Sequence, residues 1–331
     1  MHILITGAAG MIGRKLTARL ASDGGVNGRA IDRMTLTDIA APDAPAGAPF
    51  AVATTASDLS TPGAAGSAIA DRPDIIFHLA AIVSGEAEAD FEKGYRVNFD
   101  GTRALLEAIR LAGNPAGGGY HPKMVFASSI AVFGAPFPDA IADEFFLTPL
   151  TSYGTQKAMS ELMLADYVRR GFLDGAGIRL PTIAVRPGKP NKAASGFFSG
   201  IIREPLAGQE AVLPVSENVR HWFASPRAAV GFLVHAAGLP REALGARINV
   251  TMPGLCCTVG DEIAALARVA GAGVAARIRR EPDAVIEKIV AGWPQNFDAR
   301  RAAALGFAAE TSFDEIVRAH IEDELGGRVA A

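Results

Sequence analysis

A buried-looking run, HILIT at residues 2 to 6, passes directly into TGAAGMIG, and this junction most restricts what the chain can fold into. The glycines at 7, 10 and 13 follow a strand and open a helix that begins near Met11. Their spacing is GxxGxxG rather than the more common GxGxxG. Such glycines let the backbone turn sharply and approach a pyrophosphate, whose charge is met by free N–H groups and the helix dipole. Gly7, Gly10 and Gly13, with Met11 and Ile12 at the helix start, are therefore candidate dinucleotide contacts. A glycine-rich turn alone is also what any tight turn needs; the strand before it and the helix after it favour binding.

Further apolar runs continue the pattern: MTLTD, AVATT, DIIFHLAA, KMVFASS and IAVRPG, with helical periodicity over Phe91 to Leu111 and Tyr153 to Arg170. Strands rich in Val, Ile and Leu that alternate with helices predict an α/β fold, a doubly wound parallel sheet of Rossmann type. After Pro187 the elements become shorter. VRHWFAS and ARINVTM predict strands, and SPRAAVGFLVHAA predicts a helix capped by Ser225. TVGDEIAALARVAG and SFDEIVRAHIEDELG predict two more helices. The expected division is a cofactor-binding domain over 1–187 and a smaller C-terminal substrate-binding α/β lobe over 188–331, with the later chain returning in part to the first.

Composition removes several classes of function. A chain of 331 residues with 49% hydrophobic content can build a large core, and a net charge of -3 without a dense Lys/Arg run argues against nucleic-acid and membrane-surface partners. Arg277, Arg279 and Arg280 come nearest to a cluster and read as a solvated edge. Cys256 and Cys257 are adjacent, which gives neither a disulfide framework nor ligand spacing, and the six histidines show no metal-binding pattern. With a strand at the start and no long apolar run, a cytoplasmic protein without a metal is expected.

Asp38 ends the second strand, where a carboxylate can accept both hydroxyls of an adenosine ribose and would repel a 2′-phosphate. NAD is expected rather than NADP, with Asp32 the rival if the strand is shifted. Asp58 and Leu59 follow the third strand and are placed to cover an adenine, though a helix cap explains the aspartate as well. SYGTQK sets Tyr153 and Lys157 four residues apart on one helical face. A phenol is a weak base at neutral pH until a nearby cation favours its anion. Ser129 ends the strand FASS at the ligand edge and can hold the reacting oxygen.

GAAGMIG, the strand-end Asp38, HLAA at 78 to 81, VNFDGT at 97 to 102, SSIAVFG, YGTQK and VRPG occur in this order. In these motifs the chain resembles the extended short-chain dehydrogenase/reductase family, also called NAD-dependent epimerase/dehydratases. The resemblance is strong from Ile3 to about Pro187 and weaker beyond. It implies Ser129, Tyr153 and Lys157 as catalytic residues, with Lys157 also on the nicotinamide ribose. Asn98 would steady the active-site helix and its water, unless it is a plain helix-surface residue. Leu79, Ala80 and Ala81 would line the cofactor and Pro187 would touch the nicotinamide. A homodimer formed through the Phe91 to Leu111 and Tyr153 to Arg170 helices is also implied. Phe133 departs from the tyrosine usual in SSxxVYG.

The substrate is where the chain leaves the common pattern. Sugar-nucleotide members continue from VRPG into a different turn, whereas here KPNKAASGFF follows. Lys189, Asn191 and Lys192 can present cations and an amide to a small anion, with Arg220 joining them, or form a solvated loop. Ile130 and Ala131 supply no carboxylate beside Ser129, which argues against a dehydratase. The resemblance points to a branch that oxidises the carbon-2 hydroxyl of a four-carbon sugar acid with NAD. A nucleotide-sugar epimerase that keeps its NAD is the alternative, and an NAD-sensing protein without turnover is the third.

Overall fold

The computed structural model describes residues 1–113, 119–188 and 195–330. Strands are numbered β1 (His2–Thr6), β2 (Arg33–Asp38), β3 (Ala51–Ala56), β4 (Ile75–His78), β5 (Lys123–Ser129), β6 (Asp174–Leu180), β7 (Thr182–Ile183), β8 (Arg220–Ala224), β9 (Asn249–Thr251) and β10 (Leu255–Thr258). The helices that matter here are α1 (Met11–Asp23), α2 (Gly101–Ala112), α3 (Ser152–Arg169) and α4 (Val259–Ala270).

Among the described residues, seven strands form one parallel sheet in the order β9-β6-β5-β4-β1-β2-β3. The strand order reverses between β1 and β4, so the carboxyl ends of β1, β2 and β4 open on a topological switch point, where such sheets bind ligands. Every residue of β1 is buried, as expected for a central strand covered on both faces. The chain divides into two compact units: 1–132, 149–179 and 230–250 in the first; 133–148, 180–229 and 251–331 in the second. A single boundary at 187 does not describe this division, because 230–250 brings β9 back to the sheet. There Gly177 donates its N–H to Ile248 at 3.1 Å.

One expected strand is corrected. IAVRPG does not join the main sheet; the strand beside β5 is DGAGIRL, and only Thr182 and Ile183 of the later segment are extended, paired with β8. Composition hides β6 because glycine is a poor strand former. Both of its glycines are fixed by neighbours. A Cβ on Gly175 would lie 2.8 Å from Val168 of α3, and one on Gly177 would collide with Asn249 of β9. Arg186, Pro187 and Gly188 accordingly do not end a parallel strand of the sheet. The predicted helix over 91–111 is a continuous run with a π-helical turn, Tyr95–Asp100, between Phe91–Gly94 and α2.

The second unit holds the small sheet β10-β8-β7 over an apolar core of Phe198, Phe223, Val259, Leu266, Ile316 and Val317. Glu262 of α4 is buried in that unit, and neither carboxylate oxygen has a hydrogen-bond partner. Burial first, and the neighbouring Asp261 charge second, push its carboxyl well above the usual range. The folded chain therefore keeps this proton while the unfolded chain loses it near pH 4.3. The stability involved is fully present below that pH and is lost as pH rises toward the folded value, at about 1.4 kcal/mol per unit. Glu262→Gln should raise the thermal midpoint at pH 8, with the gain shrinking toward pH 4; an equal effect at both values would contradict this ionisation.

Candidate active site

The glycine turn is held closed by its own geometry. Gly7 has φ +76°, a conformation that L side chains rarely adopt, and a Cβ there would meet the Ala80 backbone nitrogen at 2.6 Å. A Cβ on Gly13 would overlap the Gly7 carbonyl, so this glycine is what lets α1 sit on the loop. Gly10 caps α1 without a side-chain hydrogen bond, and the first turn has no acidic residue. The helix start thus carries no acidic side chain of its own, as is expected of an anion-binding helix end. Met11 and Ile12 are half-buried at the helix start, and Leu79, Ala80 and Ala81 are half-buried after β4.

Asp38 ends β2 and accepts the Ala9 N–H of the glycine loop at 2.9 Å and the Ile39 N–H at 2.7 Å. Its rival Asp32 pairs with the N-terminal amine at the opposite end of the strand. Asp58 caps no helix. It accepts the N–H and hydroxyl of Ser60 and pairs with Arg96 at 3.2 Å, and the Ser60 hydroxyl bond chiefly lowers its pKa. Leu59 beside it is buried. The glycine cradle, the uncapped helix start and the strand-end carboxylate fit a dinucleotide.

Ser129 ends β5, half-buried, and accepts the Ala131 N–H at 3.1 Å through Oγ. Helix α3 begins beside it. Thr151 caps the helix by accepting the Gly154 N–H at 3.0 Å, and a Cβ on Gly154 would overlap the Ala131 carbonyl. This contact brings Tyr153 and Lys157 to the end of β5. Tyr153 is half-buried, while Lys157 is 2% exposed and donates to the Ala127 carbonyl at 2.8 Å. The ammonium lies 5.7 Å from the Tyr153 ring centroid and 4.7 Å from that of Phe126. Burial pulls the lysine down to about 8, partly opposed by the charge of Glu161.

Asn98 lies within the π-helical turn and is buried. Its Oδ1 accepts the Ile82 N–H at 2.8 Å, and its Nδ2 donates to the Ile82 carbonyl at 3.3 Å and to Gln156 Oε1 at 2.7 Å. The side chain clasps the β4 loop to α3. His78 is likewise enclosed, bonded to Thr6 and Thr102, with burial and then the Lys157 charge lowering it to about 3. It stays neutral at physiological pH.

The remaining expected residues lie elsewhere. Arg220 is exposed at the start of β8, opposite Thr258, and its charge helps lower the Asp261 carboxyl. Pro187 is half-buried in the second unit. Lys189, Asn191 and Lys192 fall outside the described residues. Phe133 is buried against Phe145 and Phe297, where a tyrosine hydroxyl would enter an aromatic cluster. Sequence reading passed over Gly154, Gln156, Glu161 and Arg179. Their signals were a glycine in a first helical turn, polar residues at i-1 and i+4 from Lys157, and a charge within a strand.

Together these features define a dinucleotide-dependent enzyme with a serine, a tyrosine and a lysine gathered at one strand end. Residues 3–244 match the NAD dependent epimerase/dehydratase family, and the chain belongs to it, as an oxidoreductase that uses an NAD-type cofactor. It is 50% identical over 327 residues to D-erythronate dehydrogenase of Cupriavidus necator, covering 98% of each chain. It is 42% identical to D-erythronate dehydrogenase of Haemophilus influenzae, over 98% of this chain and all of that one. A structure described as the nucleoside-diphosphate-sugar epimerase from Agrobacterium tumefaciens superposes with TM-score 0.97 at 62% identity, over 100% of this chain and 96% of that one. A GalE-like L-threonine dehydrogenase from Cupriavidus necator shares the fold at TM-score 0.82 and 22% identity, over 98% and 99% of the chains.

Asn98→Ala would leave the Ile82 N–H, the Ile82 carbonyl and Gln156 without this partner. At about 1–3 kcal/mol per buried orphan, stability should fall by about 3 kcal/mol, read as a lower thermal midpoint with faster hydrogen exchange at the Ile82 amide.

Proposed function

We propose that the protein oxidises the carbon-2 hydroxyl of a small sugar acid, D-erythronate, to the 2-oxo acid. Full-length identity of 50% to a D-erythronate dehydrogenase carries this reading, and the placement of Ser129, Tyr153 and Lys157 supports the chemistry. Gly7, Gly10, Gly13, Met11 and Ile12 hold the pyrophosphate, Asp38 the adenosine ribose, and Leu79, Ala80 and Ala81 the wall of the cofactor site; Asp38 disfavours a 2′-phosphate and so selects NAD over NADP. When bound, NAD supplies the acceptor for the hydride equivalent from carbon 2. The chain's own part is proton transfer and orientation. Ser129 Oγ holds the substrate oxygen, and the Tyr153 phenolate takes the hydroxyl proton as the carbonyl forms. The Lys157 ammonium favours that phenolate by its charge. Lys189, Asn191, Lys192 and Arg220 are the proposed carboxylate contacts, and Pro187 the proposed nicotinamide contact. The exposed Phe91, Leu111 and Leu162 are consistent with a homodimer built on the helical run over 91–111 and on α3.

A second reading, an epimerase that returns the hydride to its substrate, is favoured by the name of the 62% identical structure. A dehydratase is disfavoured because Ile130 and Ala131, in the turn after Ser129, bring no acid. With D-erythronate and excess NAD, a dehydrogenase accumulates NADH absorbance, whereas an epimerase does not. Tyr153→Phe should retain NAD binding and lose turnover by about 10²–10⁴-fold, the usual worth of a positioned proton acceptor. Unchanged turnover in this variant would remove Tyr153 from the reaction, and no NADH from any four- to six-carbon aldonate would favour the epimerase.

A further inference from the structure

The chemistry above uses Lys157 and leaves two buried charges beside it without a task. Glu161 is 0% exposed and Arg179 5%. Tyr153, Lys157 and Glu161 follow one another at intervals of four on α3 and so share a face. Arg179 comes from β6. Its Nε donates to Glu161 Oε1 and Oε2 at 3.0 and 3.1 Å, and its Nη2 to Oε2 at 2.9 Å. Ser128 Oγ donates to Oε1 at 2.5 Å. The carboxylate is therefore held by three groups from two strands, and one of them adjoins Ser129 in the chain.

A pair buried this deeply is a poor way to stabilise a fold, since desolvation offsets the attraction and an apolar pair of similar volume does as well. Its effect on the site is more specific. Arg179 and Ser128 enclose the Glu161 carboxylate where water cannot reach it, one helical turn from the Lys157 ammonium, whose pKa the Glu161 charge raises against burial. The Ser128 bond also anchors the end of β5, which carries Ser129, to α3, which carries Tyr153.

We propose that Glu161, held by Arg179 and Ser128, is a positioning residue that keeps Lys157 charged beside Tyr153 and fixes the Ser129 strand end against α3. This rests on Tyr153 being the proton acceptor of the proposed oxidation. It extends the site into the layer between α3 and the sheet. The charge on Lys157, which burial disfavours, is supported by a carboxylate that itself touches no substrate.

The test reads the lysine directly. In the full chain labelled with ¹³Cε-lysine, the Lys157 resonance, assigned by its loss in Lys157→Met, should titrate near the value of about 8 set by its surroundings. Glu161→Gln should lower that midpoint by about one unit or more, the usual effect of removing an opposite charge at close range, and Glu161→Asp should restore most of it. The single glutamine variant leaves a guanidinium buried without its partner; if it does not fold, comparing Glu161→Gln/Arg179→Met with Arg179→Met removes the Glu161 charge alone and carries the measurement. The alkaline limb of the rate of NADH formation should move to lower pH by the same amount, with KM for NAD unchanged. An unchanged Lys157 midpoint in the variants overturns the proposal even if the acid is oxidised. A wild-type protein with the expected titration and its shift, but no oxidation of any aldonate, counts against the functional reading instead.

Discussion

Helix α3 meets the end of β5 with no space for a side chain between them, and the site depends on that contact. Gly154 is the residue that permits it, with the Ala131 carbonyl where a Cβ would stand. A glycine in the first turn of a helix costs roughly 1 kcal/mol against alanine. What it permits here is close approach: Tyr153 and Lys157 come to the strand end that carries Ser129, and Lys157 bonds to Ala127 of the same strand. The glycine turn after β1 follows the same rule, with Gly7 against Ala80 and Gly13 against Gly7. Both halves of the site are thus places where backbone has taken the room of side chains.

That is also why the sequence showed some parts and not others. The strands β1, β2, β4 and β5 are apolar runs, so the fold class was legible from pattern, and the Tyr153-Lys157 spacing, which survives any uncertainty in helix ends, marked a candidate pair. β6 was not, because Asp174-Gly-Ala-Gly reads as loop. Its glycines answer to Val168 and Asn249, which are near only once the chain has folded. The π-helical turn at Asn98 was invisible for a related reason: its bonds to Ile82 and Gln156 join segments 16 and 58 residues away. Asp38 and Asp32 could be separated only by knowing which end of β2 faces the glycine loop.

The two names borne by close relatives, dehydrogenase and epimerase, describe overlapping chemistry. In both, an alcohol loses a proton to an anionic side chain and a hydride to the cofactor; they differ in whether the reduced cofactor leaves before the hydride is returned. The proton transfer proposed for Ser129, Tyr153 and Lys157 would serve either outcome. The discriminating groups are those that hold the rest of the substrate. A carboxylate on a four-carbon chain asks for a nearby cation, whereas a pyrophosphate-linked sugar asks for a larger and more extended set of donors. KPNKAASGFF and VRHWF are the segments where the chain departs from or meets the common pattern, so specificity is to be sought there rather than at the strand end.

Charge burial separates the two units in an instructive way. Glu262 has no partner for either oxygen, and burial holds its proton on. Glu161 is as deeply buried, yet Arg179 and Ser128 take up its lone pairs. The same residue type at the same depth therefore lacks a partner in one unit and is enclosed by donors in the other, and the difference is made by its neighbours rather than by depth. A neutral buried acid exerts little field on its surroundings. The Glu161 charge does act on a desolvated lysine one turn away on α3, opposing the effect of burial on it.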